Sequence, residues 1–157
     1  MVSYEKVRQT LKTTTLAIAI FNIIFAGLGL ISLPGLFAIR SMIDSGNTDA
    51  LQMTSQQIDV LKESVTGVAI AIVFIGIIAN IIIAVFCFIN LSRLKKEKLP
   101  TPLPYYIGIV LATASVIYTF IASTSMSGIL LQIGFQAIFI FLFFFALQQI
   151  KTLSNQN

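Results

Sequence analysis

The chain has 157 residues, of which 57% are hydrophobic and only 10% charged, with a net charge of +4, one cysteine and no histidine. A soluble domain is about one quarter charged, so water cannot be the solvent for most of this surface and lipid must be. A lone Cys87 excludes an internal disulfide, the lack of histidine excludes His-based proteolysis and His-ligated haem, and the basic residues lie at segment ends, where membrane topology rather than nucleic acid needs them.

Charges divide the chain. Lys12 and Arg40 enclose 27 uncharged residues, Glu63 and Arg93 enclose 29, and Lys98 and Lys151 enclose 52. A helix crosses the hydrocarbon core with about 20 apolar residues, so the first two stretches each predict one span and the third predicts two. The first span is expected over 14–35, where Pro34-Gly35 should end or kink it. Its apolar run is too long for a signal-peptide core and three further spans follow, so it reads as an uncleaved helix.

An outer loop follows over 40–64. Its first part, Asp44-Ser45-Gly46-Asn47-Thr48-Asp49, has turn chemistry and a glycine misplaced for a calcium-binding loop. Thr54-Ser55-Gln56-Gln57 reads as a capping box, and Ile58, Leu61 and Val65 continue at helical spacing. The pattern predicts one helix from Thr54 running unbroken into the second span, 65–90.

A basic loop over 91–104 carries Arg93, Lys95, Lys96 and Lys98, then Pro100, Pro102 and Pro104, which suit a helix start. The third span is expected over 105–122, with Tyr105 and Tyr106 as interfacial anchors. The break falls at Ser123 to Gly128, and the fourth span covers 129–147.

Eight of the ten basic residues lie in the N-terminal tail, the 91–104 loop and the C-terminal tail; only Arg40 and Lys62 lie opposite. The positive-inside rule therefore places both termini in the cytoplasm. The expected fold is an all-α integral membrane protein, a single antiparallel four-helix transmembrane bundle in the cytoplasmic (plasma) membrane. The Ile/Phe/Asn/Lys-rich composition has a bacterial cast.

No charged residue lies within a predicted span. Coupled transporters place ionisable groups at membrane depth; small multidrug transporters need a buried carboxylate, intramembrane aspartyl proteases an Asp pair, and four-helix thiol oxidoreductases Cys pairs. What remains is neutral polarity: Asn22 in span one, Asn80 in span two, and Gln132 and Gln136 on one face of span four. These amides read as packing hydrogen bonds worth roughly 0.6 kcal/mol each, or alternatively as the lining of a polar pocket. Small residues, Gly108-x-x-x-Ala112 among them, permit close helix approach. Phe139, Phe141, Phe143, Phe144 and Phe145 ring the fourth span, so part of that ring faces lipid or another protein.

Arg93, Lys95, Lys96 and Lys98 set topology and offer contact to anionic lipid head groups. The sequence thus predicts a non-enzymatic protein with no metal, cofactor or nucleic-acid partner. It would be an accessory subunit of a membrane complex or a self-associating protein, partnered by the bilayer and by another membrane protein or its own copies. The alternative is a small oligomeric transporter or channel for a neutral or lipid-like solute.

Overall fold

The computed structural model describes residues 3–122 and 126–155, and among them the regular structure is helical throughout, without strands. In chain order it comprises α1 (Tyr4–Asp44), a short 3-10 turn (Asp49–Leu51), α2 (Ser55–Ser64), α3 (Gly67–Lys95), α4 (Leu103–Ala122) and α5 (Met126–Asn155). Four of these, α1, α3, α4 and α5, are long and apolar enough to cross a membrane.

Two compact units divide the chain. One takes the residues up to Ile24 and from Ala79 onward; the other is Phe25–Ile78. In the first unit all four long helices contribute to one core: Val7, Leu11, Ile18 and Ala19 of α1, Ile83, Cys87 and Leu94 of α3, Tyr105 of α4, and Phe143, Ala146, Ile150 and Leu153 of α5. Small residues let the helices close on each other, as the absence of a hydrophobic driving force within lipid requires. Gly108 of α4 faces the Cζ end of the Phe143 ring of α5, so closely that a Cβ would collide with it, and Ala112, one turn on, is buried too.

The second unit packs the later turns of α1 against α2 and the first turns of α3 through Ala26, Leu33, Val65, Ile70 and Ile77. Gly29 plays a similar part there, facing the side chain of Ile77.

Three boundaries differ from expectation. Helix α1 runs through Pro34 and ends only at Asp44. Proline removes one backbone donor and crowds the carbonyl four residues earlier, a cost of about 3 kcal/mol in a helix interior, which the packing of Leu33, Leu36 and Ile39 on either side of it offsets. The helix stops at Gly46, whose φ of +72° is a left-handed C-cap conformation.

The capping box at Thr54 forms as read: the Thr54 hydroxyl accepts from the Gln57 amide, and the Gln57 side chain accepts from the Thr54 amide. The helix it opens does not continue into the second span, however. It ends at Ser64, and α3 begins anew at Gly67. Thr66 caps the new start, its hydroxyl accepting from the Ala69 amide three residues on. Arg40 also donates to the freed Val65 carbonyl, at 3.2 Å. Thr66-Gly67 was a second start signal that the apolar periodicity of Ile58, Leu61 and Val65 masked.

Of the expected break at Ser123 to Gly128, residues 123–125 lie outside the described residues, while Ser127 and Gly128 belong to α5. Helices α1 and α5 also extend by several turns beyond the predicted spans, since a helix need not end where the hydrocarbon does.

Candidate functional site

Near the α3–α4 connection the first unit holds a buried polar cluster. Thr15, Asn90 and Tyr105 are each fully buried. The hydroxyls of Thr15 and Tyr105 share a hydrogen bond of 2.7 Å, in which either can donate. Asn90 reaches the same phenol oxygen with its Nδ2, at 3.4 Å. Its main engagement is with the connecting loop: Nδ2 donates to the Thr101 carbonyl at 2.7 Å, and Oδ1 accepts from the Thr101 amide at 2.9 Å. One amide side chain thus satisfies both backbone groups of a residue that no helix or strand would satisfy. It pins the loop so that α4 starts two residues later, with the Pro102 carbonyl accepting from Tyr105 and Tyr106.

Tyr105 is therefore a core residue rather than the interfacial anchor expected; Tyr106, the next residue of the helix, is 57% exposed and suits that role. Asn90 and Thr15 are not among the candidate residues that the sequence singles out. The available signal was the coincidence of an Asn at the end of an apolar run with a short proline-rich loop after it.

The loop itself is shaped by the end of α3. Lys98 donates its amide to the Arg93 carbonyl and Glu97 to that of Leu94, the paired bonds of a Schellman motif. Glu97 occupies the left-handed position, φ 58°, which glycine usually takes. That turn aims its carboxylate at Arg8 of α1, whose Nη1 donates to Oε1 at 2.6 Å. The Arg8 guanidinium holds the Glu97 carboxyl below the usual carboxylate range, with a smaller contribution from Lys12. Arg8 also contacts Glu5, and its Nε is buried without a hydrogen-bond partner among the described residues.

The amides singled out in the sequence take different positions. Asn22 is buried and its Nδ2 donates to the Ile18 carbonyl of its own helix at 2.8 Å. Asn80 is half-buried on α3, and Gln132 and Gln136 are half-buried on α5. Of the basic residues, Arg93 and Lys95 fall in the last turn of α3, where cations complement the helix dipole. Lys96 and Lys98 follow in the capping turn, and all four are exposed. The geometry can bind, cap and pack; around the cluster it brings together hydroxyls, one amide and a surface ion pair.

Comparison with protein-family models, with curated proteins and with solved structures gave no match to this chain. Function has to be argued from the residues alone.

Proposed function

We propose that this is a non-enzymatic multi-pass membrane protein whose work is association. It would be a small subunit that packs against itself or against a second membrane protein, with its four spans antiparallel and both termini cytoplasmic. The observation that carries this reading is the outer face of α5. Leu130, Gly134, Ala137, Phe141 and Phe144 are all exposed, and their spacing of four, three, four and three residues keeps them on one stripe of the helix. A Cβ at Gly134 would meet open space, so nothing within the chain calls for a small residue there. Lipid tails do not call for one either. A second helix approaching closely does, and small residues between large apolar ones are the usual form of such a surface.

Only 17% of the apolar stretch of α5 is buried within the described chain, which leaves room for that partner. The absence of charged residues from the predicted spans supports a non-catalytic part. Transport of a neutral solute fits less well, because Asn22 commits its amide to its own helix.

Purification in mild detergent followed by mass determination of the intact complex tests the reading. The wild-type chain should run as a homo-oligomer or with one partner in fixed ratio, and Gly134→Leu should release a folded monomer. A wild-type monomer with no partner, or an assembly indifferent to Gly134→Leu, would contradict it.

A further inference from the structure

Between the first turns of α1 and the last turns of α3, within the first unit, lies a groove of about 460 Å³ lined by Lys12, Thr13, Leu16, Phe88, Leu91, Ser92 and Lys95. Its lining is graded. Lys12 is the last charged residue before the uncharged stretch of α1, and Lys95 sits just beyond the uncharged stretch that ends at Ser92 on α3. Two ammonium groups from different helices therefore stand at the polar end, with Ser92, one turn before Lys95, lining the groove beside them.

Among the described residues neither Lys12 nor Lys95 is in an ion pair; the nearby carboxylate of Glu97 is taken by Arg8 at 2.6 Å. At the apolar end Leu16 and Phe88 are 43% and 46% exposed, open on the side where acyl chains run. A soluble anion would use the lysines and leave Leu16 and Phe88 bare, and a neutral lipid would leave the two charges unmatched. A molecule with a phosphate at one end and hydrocarbon at the other matches both.

We propose that this groove is a binding site for one anionic phospholipid, its phosphate held between Lys12 and Lys95 and the first carbons of its chains lying on Leu16 and Phe88. The site differs from a diffuse basic surface: Lys96 and Lys98 carry the same charge nearby but do not line the groove. It rests on the membrane reading above, since the lysines must lie at head-group depth.

Intact-protein mass spectrometry in mild detergent, with titration of dioleoyl phosphatidylglycerol, dioleoyl phosphatidylcholine or glycerol 3-phosphate, tests it. The wild type should retain phosphatidylglycerol in preference to the other two. Each charge near a membrane surface contributes about fivefold in affinity, so Lys12→Gln with Lys95→Gln should weaken that binding roughly 25-fold. Lys96→Gln with Lys98→Gln should leave it within about threefold, and the doubly substituted Lys12→Arg, Lys95→Arg chain should keep it.

Phe88→Ala should weaken phosphatidylglycerol binding too. Equal losses from the two glutamine pairs, glycerol phosphate bound as well as the lipid, or no preference over phosphatidylcholine would each overturn the proposal. A chain that enters micelles yet lacks the preference refutes the lipid site alone; one that stays in aqueous buffer refutes the membrane reading as well.

Discussion

Thr15, Asn90 and Tyr105 form the buried polar cluster of the first unit, and two of its members share one bond. A buried hydrogen bond contributes about 1 kcal/mol net, and leaving a buried partner unsatisfied costs about 1–3 kcal/mol. Tyr105→Phe removes the phenol oxygen that Thr15 and Asn90 both reach and should cost about 1–2 kcal/mol in detergent-denaturation midpoints. Combined with Thr15→Val, it should cost less than the sum of the two, because both deletions remove one shared bond. Asn90→Ala strips both backbone groups of Thr101 of their partner and should cost more, about 2–4 kcal/mol. Additive Tyr105 and Thr15 effects would show that the 2.7 Å contact carries no energy. None of these roles was legible beforehand, because the contacts join residues 15, 90 and 105, and hydropathy reports only which segments are apolar. The buried Tyr105 beside the exposed Tyr106 shows the limit: composition placed an aromatic pair at the helix start, and only packing decided which ring turned inward.

At the scale of the element, boundaries were legible where a local hydrogen-bond motif writes them and obscured where two signals compete. The capping box at Thr54 is legible in the sequence since its two bonds lie within four residues. The break at Val65 was not, because a helical repeat of apolar residues ran across it. The turn after α3 supplies a sharper test. Glu97 in the left-handed conformation is strained by roughly 1 kcal/mol relative to glycine, and it gains the Arg8 ion pair in return. The Glu97 carboxyl is held below its ordinary value of 4.5, so the pair stabilises the fold above that pH and its contribution is lost as pH falls through the lowered value. Glu97→Gly should therefore be nearly neutral at pH 7 and stabilising under acid conditions, and high salt should mimic part of the acid effect by screening this exposed pair. A Glu97→Gly effect that does not change between neutral and acid pH would show that the ion pair is idle. Glycines separate likewise by environment. Gly108→Ala must displace the Phe143 ring, and overpacking costs about 1–3 kcal/mol, more than alanine's gain in helix propensity of about 1 kcal/mol. Gly134→Ala, opening onto free space, should keep that gain in the isolated chain. Unfolding midpoints that fail to separate these two variants would count against the α4–α5 contact.

For the whole molecule, the four long apolar helices were legible from the charges, because hydrocarbon leaves only helices or closed barrels to satisfy the backbone and uncharged runs this long match helices. The division into two units was not legible, since the boundaries fall inside α1 and α3, where the sequence shows no change of character. The topology proposed, four passages of a bilayer with both termini inside, can be read directly. Labelling intact cells with a membrane-impermeant maleimide tests it, using single added cysteines at Ser3→Cys, Asn47→Cys, Lys96→Cys and Asn155→Cys, with the buried Cys87 as an internal unreactive control. Asn47→Cys alone should react from outside, and the other three should react only once the membrane is opened. Labelling of Ser3→Cys or Asn155→Cys in intact cells, or protection of Asn47→Cys there, would contradict it.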